Sequence, residues 1–292
     1  MYQPGPELIY ECPNCGWIFE RSSIGSGNTF GALPFSDGKL IAPMLPDYGM
    51  FTKCGNCNAI LDISVLTEIG IHDWYVTHKS KWYIDPSSKK WTHTESLGMQ
   101  DFYKALALFP QHELYIRQRI LWLYNDNIRD NILKGYDIKD MLPYSETEKD
   151  TYEDNCRALI KLLEHQTGIL EFLKSNLEDM DKYVEWLNSL DDGGDAYLKE
   201  QTESLKRSIE WSYSMEKDKN DCRKNIKERL DDESSSQRQL IAELYRNLGN
   251  FDKCMEWINN IHSKRPHYVK LKQLFEAKCK EGNKLLFTYK YD

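Results

Sequence analysis

Four cysteines in two CxxC pairs, Cys12-Pro13-Asn14-Cys15-Gly16 and Cys54-Gly55-Asn56-Cys57-Asn58, are the residues of this chain whose type and spacing best fit a known chemistry. In such a turn two thiolates and the backbone amides behind them aim at one point, and two turns facing each other complete a tetrahedral sulfur site. The residue after the second cysteine often needs a left-handed backbone, which glycine adopts freely and asparagine tolerates. Gly16 and Asn58 stand at those places. The spacing predicts one structural zinc ion held by Cys12, Cys15, Cys54 and Cys57. Four thiolates leave no open position for water or substrate, and iron in a rubredoxin-like site is the chemical rival. Binding would supply on the order of 10 kcal/mol or more of folding free energy to a small domain.

The remaining cysteines, Cys156, Cys222, Cys254 and Cys279, are scattered through sequence with helical periodicity. Two tight pairs plus isolated thiols fit metal ligation and buried cysteines in a reducing compartment better than a disulfide framework. The first residues carry no basic region followed by an apolar stretch, and no run reaches the roughly 18 apolar residues of a membrane span. The expected location is cytoplasmic, away from membranes. The 292 residues are 40% hydrophobic and 12% aromatic, enough to bury real cores, and the formal charge of -8 speaks against a general polyanion binder.

The elements that must position the cysteines come in two styles. Between Cys15 and Cys54 lie turns and short strands, with Ser36-Asp37-Gly38-Lys39 resembling a hairpin turn. The stretch SGNTFG matches neither GxGxxG nor a Walker motif. Ile60 to Leu66 reads as a strand, and Lys81 to Trp91 as a hairpin about Asp85-Pro86. Lys79, Lys81, Lys89 and Lys90 interleave there with Trp82, Tyr83 and Trp91, a pattern that can stack on bases while neutralising phosphates, or serve as a solvated strand edge.

From about Met99 the periodicity is helical. Phe102 to Leu108, ended by Pro110, precedes a longer segment from His112 to Leu133, and Ser145 with Glu148 forms a capping box for a third helix. Leu170, Leu173, Leu177, Met180, Val184 and Leu187 mark a heptad seam, Asp191 to Asp195 a turn, and Leu198 to Leu230 a returning helix. Ile241, Ala242, Tyr245, Gly249, Cys254, Ile258, Ile261 and Pro266 fall at the spacing of a tetratricopeptide repeat, whose groove-facing positions would be Gln239, Glu243 and Arg246. Tyr268 to Lys280 reads as a following helix, and Leu285 to Tyr291 alternates like a strand.

The expected fold class is therefore α+β. A β-rich zinc ribbon with a hairpin extension occupies 1–95 and a mainly helical, tetratricopeptide-like domain 96–292. The latter holds an inserted helical hairpin at 167–230, the repeat at 235–268 and a C-terminal strand at 284–291. As a whole the chain resembles uncharacterised bacterial proteins that join an N-terminal zinc ribbon to a tetratricopeptide-like domain. The likeness rests on CPNCG, SGNTFG, SDGK, CGNC, YIRQRILWLYND and AELYRNLGNFDKCMEWI, and it implies an architecture and a bacterial source without a reaction. None of the seven histidines lies in an HExxH motif and no GxSxG elbow is present, so no catalytic residues are expected. The expected function is a zinc-binding adaptor for a protein or peptide, with Gln239, Glu243 and Arg246 as contact residues. The alternative is a nucleic-acid-associated factor using Lys81, Trp82, Lys89, Lys90 and Trp91.

Overall fold

A computed structural model describes residues 2–72, 90–139, 141–175, 219–263 and 265–289. The fold is α+β, and the chain divides into two compact units. One comprises Met1–Leu33 and Leu40–Ala105, the other Pro34–Lys39 and Leu106–Asp292.

The first unit is built from short antiparallel strands: β1 (Gln3–Pro4), β2 (Glu7–Glu11), β3 (Ile18–Arg21), β4 (Ile24–Ser26), and later β7 (Phe51–Cys54), β8 (Ile60–Asp62), β9 (Glu68–His72) and β10 (Thr94–Glu95). β2 lies between β3 and β9, with Tyr10 opposite Phe19, and β7 lies between β8 and β10. β5 (Leu33–Pro34) and β6 (Leu40–Ile41) flank the expected hairpin turn, where the Phe35 amide donates to the Lys39 carbonyl at 2.9 Å and Gly38 takes φ +78. The strand expected over 60–66 ends at Asp62, whose side chain accepts from the Ser64 amide and opens a 3₁₀ turn. One apolar cluster here joins Tyr10, Cys12, Phe19, Cys54 and Leu61, with the Tyr10 and Phe19 rings stacked, and Ile9, Ile18 and Phe51 are buried as well.

Among the described residues the helices are α1 (Met99–Leu108), α2 (Glu113–Lys134), α3 (Lys149–Ser175), α4 (Lys219–Asn247), α5 (Phe251–Asn259) and α6 (Pro266–Lys280). From α2 onward each packs on the next described helix. α2 buries Ile116, Ile120, Leu121, Tyr124 and Ile128 along one stripe and stops at Gly135, whose φ of +74 lets its amide reach back to the Asn131 and Ile132 carbonyls. At Ser145 the amide donates to Glu148 Oε2 at 3.1 Å, one half of the expected capping box.

Three boundaries differ from expectation. The units divide inside α1 and not at 95/96, because Asp101 in the first turn of α1 pairs with Lys53 of β7. The limits expected for the helical hairpin, 167 and 230, fall inside α3 and α4, which run through without a break. These helices meet through partly buried polar groups: Thr167 Oγ1 donates to Gln237 at 3.0 Å, Ser234 Oγ and Arg238 both donate to Glu171, and Lys174 pairs with Asp231. Leu170 and Leu230 are buried, whereas the rest of the seam from Leu177, the turn and the residues from Leu198 to Tyr213 lie outside the described residues.

The third difference is that Pro34–Lys39 belongs to the helical unit. Asp37, fully buried, accepts from Arg129 Nη2 at 2.5 Å and from Asn125 at 2.9 Å, while Trp122 Nε1 donates to its carbonyl. Ser36 Oγ donates to Glu243 at 2.8 Å, and the Ser36 amide donates to the Phe287 carbonyl. Phe35 bridges antiparallel to Thr288, so the C-terminal segment pairs with this turn. Burial pushes the Asp37 carboxyl up, and Arg129, Asn125 and the Lys39 amide pull it back. Arg129 Nε finds no hydrogen-bond partner among the described residues, but its guanidinium lies 5.1 Å over the Phe35 ring.

Removing one partner of a buried ion pair strands the other, a loss of about 3–5 kcal/mol, whereas a partly exposed pair contributes at most about 1 kcal/mol. Asp37→Ala is therefore expected to lower the stability of the helical unit several-fold more than Lys39→Ala, which removes a partly exposed pair with Asp126 and a contact 5.8 Å over the Trp122 ring. Denaturant titration followed by far-UV circular dichroism checks this.

Candidate metal centre

The two CxxC turns are near copies in backbone and in hydrogen bonding. In the first, the Cys12 amide donates to the Trp17 carbonyl at 2.8 Å and the Gly16 amide returns to the Cys12 carbonyl at 2.8 Å. In the second, the Cys54 amide donates to Ala59 at 3.0 Å and the Asn58 amide to Cys54 at 2.8 Å. Both turns need the left-handed region at their fifth residue, and Gly16 and Asn58 occupy it at φ +71 and +58. The first turn follows β2 and leads into β3, and the second joins β7 to β8, so each hairpin delivers one cysteine pair.

All four sulfur atoms lie within 4.8 Å of one another. Cys12 Sγ is 3.7 Å from Cys57 Sγ, and Cys15 Sγ is 3.8 Å from Cys54 Sγ. A tetrahedral zinc with bonds of about 2.3 Å sets its sulfur ligands roughly 3.8 Å apart. The residues present thus fit a four-thiolate ion, and the chemistry of the donor set suits zinc or iron. Cys12 and Cys54 are fully buried, Cys15 and Cys57 partly. Burial pushes the Cys12 thiol up to about 12 and raises Cys54, while a hydrogen bond with the Asn14 side chain draws Cys57 down to about 6. Backbone amides of Asn14 and Cys15 act on Cys12, and those of Asn56 and Cys57 on Cys54, each favouring the thiolate that a metal requires.

A later segment laces both turns together. The Ile18 amide donates to the Lys90 carbonyl and the Thr92 amide to the Ile18 carbonyl, beside the first turn. The Gly55 amide then donates to the His93 carbonyl inside the second, and β10 continues along β7. A Cβ at position 55 would come within 2.8 Å of that carbonyl oxygen, so the second turn requires glycine there. Nothing in the spacing of the cysteines signals this lacing, because it is made by main-chain groups some 35 residues downstream.

The other expected site residues fall in different places. Lys81, Trp82 and Lys89 lie outside the described residues. Lys90 is exposed and stands 5.8 Å over the Trp17 ring, and Trp91 bridges to Ile18, so both flank the first cysteine turn. Gln239, Glu243 and Arg246, expected to face a groove, are instead interior, at 7%, 0% and 0% exposure. Gln239 donates to Tyr289 OH at 3.0 Å, and Arg246 chelates Glu243 while donating to the Asn283 carbonyl. Their face of α4 is covered by the C-terminal segment and by Ser36, which the repeat spacing alone does not foresee. No helix among the described residues is long and apolar enough to cross a membrane.

Comparison with protein-family models, with curated proteins and with solved structures gives no match to this chain.

Cys12→Ser is expected to abolish stoichiometric metal uptake and to unfold the first unit, because the small apolar core cannot replace the ion. Metal content by mass spectrometry, together with loss of amide dispersion from residues 7–33 and 40–72, reads both effects. In the unaltered chain, metal affinity is expected to fall as pH falls, since protons and metal compete for the same thiolates.

Proposed function

We propose that the chain is a zinc-containing adaptor that works by holding a protein partner and carries out no reaction of its own. A four-thiolate ion offers no coordination position to a substrate, which suits a structural role. The observation that carries the adaptor reading is the surface of the stretch between the two cysteine turns. Phe30 is 86% exposed, and Ile24, Leu40, Met44, Leu45 and Tyr48 each show more than a third of their surface to solvent. Six large apolar side chains within 25 residues exceed what a stretch with no binding duty tends to expose, since exposed apolar residues are ordinarily scattered singly. The stretch is held locally: the Asn28 amide donates to the Met44 carbonyl, and Arg21 donates to the Gly49 carbonyl.

The α4–α5 hairpin supports a tetratricopeptide-like reading of the helical unit. Gly249 turns between the helices at φ +79, Ala242 and Cys254 are buried where small side chains allow close approach, and Pro266 opens α6. That unit serves as the frame, since its former contact candidates lie in its interior. Metal identity in this reading is zinc.

A Phe30→Asp, Met44→Asp double variant tests the proposal. Both side chains are solvent-exposed, so the substitutions should cost within about 0.5 kcal/mol each. Zinc-loaded wild type, immobilised in lysate of the source cell at moderate salt, is expected to retain a stoichiometric protein that the double variant loses while keeping its own metal content. Equal retention by both chains rejects this surface. Nuclease-sensitive absorbance without a protein would transfer the function to nucleic acid and to the Lys90 and Trp91 flank of the first turn.

A further inference from the structure

We propose that Cys254 and Cys279 form a dithiol that a small disulfide, such as oxidised glutathione, converts into a covalent link between α5 and α6. The two sulfur atoms lie 3.5 Å apart, closer than the cross-paired sulfurs of the metal centre. Cys254 stands in the first turn of α5 and Cys279 is the penultimate residue of α6, and the two helices pack on each other. Their approach is therefore made by the helical hairpin itself. Cys254 is fully buried beside Ala242 and Ile258, whereas Cys279 is half-buried and gives a reagent its way in.

The chemistry is a two-step exchange. The Cys279 thiolate attacks one sulfur of the small disulfide, forming a mixed disulfide and releasing one small thiolate. The Cys254 thiolate then attacks Cys279 Sγ, expels the second small thiolate, and closes the internal bond. Two protein thiols are oxidised, one small disulfide is reduced to two thiols, and the two protons lost by the cysteines pass through solvent to the released thiolates. Burial holds both cysteines above the ordinary thiol range, and the nearby Arg246 guanidinium works in the opposite direction on each. Such a pair exchanges slowly, as befits a link that persists once made rather than a catalytic thiol. No ligand of the metal centre takes part, so the inference stands whether or not the adaptor reading does.

The test uses the zinc-loaded full-length chain, incubated with oxidised glutathione, with remaining thiols then alkylated and every cysteine assigned by peptide mass mapping. The expected product is about 2 Da lighter than the reduced chain before alkylation and contains a linked Cys254–Cys279 peptide pair. It is restored by a reducing thiol, and it shows a higher thermal midpoint than the reduced form. Cys279→Ser should not form the link. A glutathione adduct that persists on Cys279 while Cys254 remains free to alkylate would overturn the proposal. So would full alkylation of both cysteines, or a link joining either to a different cysteine.

Discussion

Taking an ion out of water costs several kcal/mol, and the helical unit does so four times within a few residues of one turn. Asp37 faces Arg129 and Glu243 faces Arg246, all four with 1% exposure or less, and Ser36 ties the second pair to the turn that carries the first. Such charges are tolerable only when their hydrogen bonds are met from several sides. Here the donors and acceptors come from α2, α4, the 34–39 turn and the segment after α6. The network therefore specifies which stretches of chain must meet. Apolar residues of similar volume would bury as well, and with less demand on alignment, so the network is better suited to fixing a unique arrangement than to adding stability.

The first unit solves the opposite problem. Among the described residues its strands are two to five residues long, and the apolar cluster around the cysteines holds five buried residues, Cys12 and Cys54 among them. A unit of that kind gains little from area alone, and a metal held by the four cysteines would join its two hairpins. Strand pairing by β10 and the stretch from Lys90 adds main-chain bonds to both hairpins. One unit thus gathers four cysteines at a single point, and the other gathers buried side-chain charges.

The sequence made the cysteine-bearing half easy to read. Ligand identity, the residue after each pair and the Ser36–Lys39 turn are local signals, and each has a counterpart in the structure. Helix limits set by Gly135, Gly249 and Pro266 were legible for the same reason. What stayed hidden was long-range. Arg129 sits directly after Ile128 at the end of an apolar stripe, which hints at a buried cation, but its partner is 92 residues earlier. Glu243 and Arg246, three residues apart on a helix, look like an ordinary exposed pair until the covering segment is known. Periodicity indicates which face of a helix is apolar, yet it is silent about polar positions enclosed by chain from elsewhere. The change in pattern at 167 and 230 is not a break in either helix, since α3 and α4 run through those positions.

The membership of Pro34–Lys39 in the helical unit has a consequence for synthesis. A chain emerging from the ribosome completes its cysteine ligands by residue 57, and domains commonly fold in the order they appear. Asp37 is already inside that early stretch, but Arg129 follows 92 residues later and Glu243 lies 207 residues beyond Ser36. The turn must therefore wait, its aspartate hydrated, while the ribbon around it can already take up metal. The nascent chain thus carries a placeholder, and the helical unit closes only after the segment around Phe287 has been made.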